Sequence, residues 1–199
     1  MKYRDIAGQI IALKNEDLKL REKLIESGQL NDGYNKNMAE LHNHNAEILN
    51  EIIDKIGYPT IDKVGKEGSD AAWLVIQHSI GQPPFMRKCA ELLEKAVLKN
   101  EAKAIHLAYL TDRIAVFEQR PQSYGTQFDW DINGEISPQE YDNTDKVNER
   151  RKSLGLRSLE EQTEVLREQV KKENQEPPTN FDQRKKEIEK WSISVGWIK

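Results

Sequence analysis

The 199-residue chain contains one cysteine, Cys89, which excludes an intrachain disulfide and a cysteine-built zinc site. Long apolar runs are missing too. The longest fall far short of the ~20 residues a membrane-spanning helix needs, and the opening MKYRDIAGQI lacks the apolar stretch of a signal peptide. A cytoplasmic protein without membrane contact is expected. Aromatic residues are 7% of the chain and the mean hydropathy is −0.81, so the core must come from a few segments. Excess positive charge is also absent: a net charge of −4 and a pI near 5.7 argue against a nucleic-acid binder relying on bulk electrostatics. Charge of both signs is abundant, at 32%, and the length suits one domain of ordinary size.

Only the segment AAWLVI (71–76) is apolar all round, as a helix inside a bundle must be. Gly65 and Gly68 before it predict a loop, with Ser69 as N-cap. Gly81, Pro83 and Pro84 after it predict a C′ glycine and the first turn of the next helix. The loop at 57–68, with Val64-Gly65-Lys66-Glu67-Gly68, has the glycines and lysine of an anion cradle, but lacks the Gly-Lys-Ser/Thr ending of a P-loop. It reads first as a connection.

Apolar periodicity places further helices at 3–27, 36–56, 83–98, 103–119, 145–153 and 158–174, and a last one from Asn180. Asn31-Asp32-Gly33 predicts a turn between the first two, and Asn133-Gly134 a hairpin turn. The expected fold is mainly α, a bundle-like single domain over 1–175 with one small β-hairpin at about 122–138. A C-terminal helix over 176–199 packs on the same domain, anchored by Trp191 and Trp197.

Several polar residues fall on apolar faces. Asp17 interrupts the stripe Ile6, Ile10, Leu13, Leu20, Leu24, one turn before Arg21. His42 borders the stripe of the second helix, whereas His44 points to its wet side; residues two apart on a helix diverge by roughly 200°, so the two cannot share an ion. Gln77 and His78 end the buried helix. Asp112 follows Ile105 and Ala108 inward beside Arg113, and a buried carboxylate needs a partner. His106 looks peripheral, and Cys89 lies on an apolar face without a neighbouring histidine. The stretch 120–130 carries the side-chain donors and acceptors Gln122, Tyr124 and Gln127.

The blocks Gly57-Tyr58-Pro59, Val64-Gly65 through Gly68, AAWLVIQH (71–78), LAYLTDR (107–113), RPQSYGTQFDWD (120–131) and Glu149-Arg150-Arg151 resemble a widespread bacterial family known only as a domain of unknown function. This chain departs from its pattern at Tyr58, often Trp, and at Leu18, where an Asp-Gln pair is usual. The resemblance implies kinship and no mechanism.

Two functions compete. A small-molecule enzyme would use His78 as general base or acid oriented by Asp112, with Arg21 or Arg113 holding an anionic substrate, and Asp17, His42, Gln77, Gln122, Tyr124 and Gln127 lining the site. Its nucleophile would be water or a second substrate. No cofactor is identified, and a metal held by His42, His78 and a carboxylate such as Asp112 has no recognised ligand spacing and ranks below the metal-free version. Alternatively the polar groups form a structural network in a non-catalytic module that binds a protein partner.

Overall fold

A computed structural model of the chain describes residues 1–29 and 34–199. The predicted turn at Asn31-Asp32-Gly33 lies outside the described residues. Among them are eight helices, α1 (Arg4–Glu26), α2 (Lys36–Ile56), α3 (Ile61–His78), α4 (Pro83–Leu98), α5 (Ala104–Phe117), α6 (Thr144–Ser153), α7 (Leu159–Lys172) and α8 (Phe181–Val195). Strands β1 (Phe128–Trp130) and β2 (Ile136–Pro138) pair antiparallel, with Asp129 opposite Ser137. The fold is thus mainly α with one small hairpin. The chain forms two compact units, Met1–His106 and Leu107–Lys199.

In the first unit α3 is the central element, with Ala71, Ala72, Val75 and Ile76 all buried. It begins earlier than its glycines suggest. Thr60 occupies the N-cap position, Ile61–Val64 form a first turn, and Gly65, at φ 74° and ψ 169°, bends the chain before the helix resumes. That positive φ is open to glycine at little cost, so Gly65 makes a kink where a break was expected. Ser69 lies buried within the helix rather than at its cap, and no loop remains at 61–68 to cradle an anion. Ser79, not Gly81, closes α3. Gly81 faces α2 instead, where a Cβ would come 2.6 Å from Asn43 Oδ1.

α1 and α3 run parallel in a fixed register. The amides of Lys2 and Tyr3 donate to the Lys63 carbonyl (2.9 and 2.8 Å), a Cβ on Gly68 would meet Ala7 Cβ at 3.3 Å, and Asp17 bonds His78. The last two pairs are both 61 residues apart. α2 returns antiparallel to α1, with Asn45 Nδ2 donating to the Leu13 carbonyl (3.2 Å) and His42 beside Asp17. α4 starts on Pro83 as expected and buries Phe85, Met86, Cys89 and Leu93. His106, expected at the periphery, stacks on the Trp73 indole at 4.3 Å between centroids, and its carbonyl accepts from Trp73 Nε1.

In the second unit, Phe117 packs on Trp191 and Trp197, at 5.6 and 5.1 Å between centroids. Arg184 of α8 clamps Asp129 of β1 through two hydrogen bonds of 2.8 and 2.9 Å. Asn143 and Asn180 cap α6 and α8, and Ser158 with Glu161 forms a capping box on α7.

Candidate functional site

Asp17, His42 and His78 come from three different helices and meet in the first unit. The Asp17 side chain is 1% exposed, His42 8% and His78 28%. His78 Nδ1 donates to Asp17 Oδ2 at 2.6 Å. His42 Nε2 lies 3.3 Å from the same oxygen without the alignment of a hydrogen bond. Behind His42, Tyr34 Oη and His42 Nδ1 are hydrogen-bonded at 2.7 Å. The imidazoles are tilted by 42° with centroids 5.0 Å apart.

Burial, the largest single influence on Asp17, works to raise its pKa, but the two histidine nitrogens beside it outweigh burial and hold the carboxyl down at about 2. Asp17 is therefore ionised at neutral pH. Burial, reinforced by the Asp17 charge, pushes the Tyr34 phenol above its usual range, so Tyr34 stays protonated. Two buried atoms of the cluster, Asp17 Oδ1 and His42 Nε2, have no hydrogen-bond partner among the described residues.

One ligand atom from each of Asp17, His42 and His78 lies within 4.8 Å of the other two. Two imidazoles and a carboxylate form a donor set for divalent transition ions, and also the parts of an acid–base pair. The carboxylate beside His78 is Asp17, where the sequence suggested Asp112.

Asp112 serves a second network, inside the other unit. Its Oδ1 accepts from the amides of Ser123 (2.8 Å) and Tyr124 (3.1 Å), and its Oδ2 from the amide and hydroxyl of Thr126 (2.9 and 3.0 Å). Burial pushes the Asp112 carboxyl up despite these donors. Gln122, fully buried, donates to the carbonyls of Gln127 and Gln139 and accepts from the Gln127 amide. Arg113 Nε donates to Gln127 Oε1 at 3.1 Å. Arg151 Nη1 donates to the Tyr124 and Gly125 carbonyls and Nε to that of Arg157.

The structure thus gathers Asp17, His42 and His78 in one cluster, and Asp112, Arg113, Gln122, Tyr124 and Gln127 in another. Gln77 is buried next to His78 in α3, and Arg21 is exposed one turn beyond Asp17. Sequence reasoning missed Tyr34. An aromatic residue just ahead of the N-cap Asn35 reads as a loop residue, and nothing in its spacing to His42 marks it as a partner. Arg151 was also missed because α6 reads as a solvated helix.

Residues 4–172 match the model of a family described as a family of unknown function, DUF6624. No curated protein and no solved structure matches the chain.

Proposed function

Because the chain belongs to DUF6624, a family of unknown function, membership brings no activity, and we propose from the geometry that it is an enzyme using the Asp17–His42–His78 centre to activate water against a small anionic molecule. The observation that carries this reading is the 2.6 Å bond from His78, a partly exposed imidazole, to a carboxylate that is itself buried and charged. A buried carboxylate on one ring nitrogen fixes the tautomer and orientation of the imidazole and leaves its other nitrogen as a lone pair. With protons alone in the centre, His78 Nε2 is the group that takes the proton from water as its oxygen attacks, and it returns a proton to the leaving group. His42, held by Tyr34, is the second imidazole against the same charge. Arg21 on the next turn of α1 supplies the cation for the substrate's negative group.

The Asp112 network supports a different role. Its carboxylate oxygens and the Gln122 amide are bonded to the loop at 122–127 and the strand-side carbonyls, which is the pattern of a group that shapes a loop.

The test is a panel of phosphate and carboxylate esters incubated with wild type and His78→Gln, alongside thermal melts of both with the same compounds. The expected outcome is hydrolysis of one class by wild type and a loss of at least 100-fold in the variant, the usual scale for a general base, with folding retained. Turnover within a few-fold of wild type in His78→Gln would remove His78 from the chemistry.

A further inference from the structure

We infer that the Asp17–His42–His78 centre binds one divalent transition-metal ion of the zinc, iron or cobalt type. The inference rests on the reading of this cluster as a water-activating centre, and assigns the activating role to an ion held where the Asp17–His78 proton lies. Three features of the site point to it.

The first is distance. Ligands around a tetrahedral ion at about 2.0–2.1 Å from each donor lie about 3.3 Å apart. His42 Nε2 and Asp17 Oδ2 are already 3.3 Å apart. The His78 contact, at 2.6 Å, has to open by well under 1 Å, a small rotation for a ring at the end of its helix and partly in solvent. All three ligand atoms lie within 4.8 Å of one another, so rotation of the imidazole rings has to bring the His42 and His78 nitrogens the rest of the way onto one ion.

The second is the pair of buried atoms without partners, Asp17 Oδ1 and His42 Nε2. If His42 Nδ1 carries the proton and donates to Tyr34, the Nε2 lone pair faces the Asp17 carboxylate, and two acceptors 3.3 Å apart repel unless a cation lies between them. If Tyr34 donates instead, or if both ring nitrogens carry protons, the Nε2 proton is misaligned with Asp17 and makes no hydrogen bond. An ion resolves the first arrangement and gives both unpartnered atoms a role, Oδ1 as a second carboxylate donor. Tyr34 then acts as the outer support that metal-bound imidazoles ordinarily have.

The third is donor chemistry. Two imidazole nitrogens and one carboxylate suit zinc, ferrous iron or cobalt, whereas magnesium and calcium take oxygen ligands. Three protein ligands also leave coordination positions open for water or substrate, as in catalytic rather than structural sites. Such an ion supplies acidified water at neutral pH. His78, the most exposed of the three, marks the side from which water and substrate approach.

The experiment strips the purified 199-residue chain with a chelator and titrates Zn2+ by calorimetry and Co2+ by visible absorption. One equivalent should bind, Co2+ should give a d–d band of low-symmetry coordination, and His42→Gln, His78→Gln and Asp17→Asn should each weaken binding at least 100-fold. Tyr34→Phe should weaken it about 10-fold or more. His78→Gln, the substitution at the most exposed ligand, carries the test if Asp17→Asn fails to fold. Absence of stoichiometric binding, or binding that the three ligand substitutions leave unchanged, overturns the inference. If no ion binds but ester turnover still depends on His78, the centre stands with its imidazole as the base and the metal is rejected. If the ion binds as expected and no ester is turned over, the metal site stands and the hydrolytic reading falls.

Discussion

Asp112, inside α5, sets a buried carboxylate against the loop at 122–127, three of whose amides turn towards it. The amides of Ser123, Tyr124 and Thr126, with the Thr126 hydroxyl, converge on its two oxygens. Removing the carboxylate leaves these donors facing a void, and each unpaired buried donor costs about 1–3 kcal/mol. Asp112→Ala should therefore lower the stability of the folded chain by about 2–4 kcal/mol in urea melts. Asp112→Asn should recover only part of that, because its NH2 group must face an N–H. A loss under about 1 kcal/mol for the alanine variant would show that the loop holds its shape without Asp112. Asp17 and Asp112 look alike in the sequence, as acids on the apolar side of a helix, and that is why both stood out. What separates them is the partner, which depends on the neighbouring element: imidazoles for Asp17, backbone amides for Asp112. The alternation of polar and apolar residues within one helix carries no record of it.

The contact between α1 and α3 sets how precisely Asp17 meets His78. Gly68 lets the helices approach so closely that a Cβ there would come 3.3 Å from Ala7 Cβ of α1, besides crowding Val64 one turn back in α3 at 3.1 Å. Asp17 and His78 each lie ten residues further along their helices, about 15 Å at 1.5 Å per residue. Alanine at this position gains about 1 kcal/mol of helix propensity and needs its neighbours to shift by only a few tenths of an ångström, so Gly68→Ala should stay within about 1 kcal/mol of wild type. Gly68→Leu should cost about 1–3 kcal/mol through overpacking and should change the His78 ring signals in NMR spectra as the helices part. A leucine variant with wild-type stability and unchanged His78 signals would refute this account of the register. The helices themselves were legible, because apolar stripes and the punctuation by Gly57, Pro59, Pro83 and Pro84 mark their extents. The start of α3 was not: Gly65 reads as a breaker, yet one residue of positive φ only bends a helix that packing on α1 keeps together. Nor was the pairing of Asp17 with His78, which depends on a register fixed by a missing side chain at Gly68.

Across the whole chain, the buried titratable groups divide unevenly between the two units, and acid should act on them in order. In Met1–His106, burial first and Lys103 second hold the His106 pKa down at about 4, against an ordinary 6.5, with Asp70 opposing. The unfolded chain therefore binds a proton that the folded chain refuses. Stability from this group is complete above pH 6.5 and falls as the pH drops towards 4, by on the order of 2–3 kcal/mol. Asp17, held at about 2 against an ordinary 3.8, adds a second loss that begins only below about pH 4. In Leu107–Lys199 the buried Asp112 is shifted the other way. A carboxyl raised by folding is protonated more readily in the folded state, so acidification does not destabilise the unit through it. The exposed Asp131, Asp142 and Glu160 are lowered, and what they contribute is lost only below their ordinary values of 3.8 to 4.5. Between pH 7 and 4.5 the acid-sensitive load of these shifted groups thus falls on Met1–His106 through His106. Hydrogen exchange at the two pH values, corrected for the intrinsic rate, should show peptides from Met1–His106 losing protection while those from Leu107–Lys199 keep theirs, and His106→Phe should remove most of the difference. Loss of protection first in Leu107–Lys199, or an unchanged pH response in His106→Phe, would mean that the stacked imidazole on Trp73 does not govern the acid response.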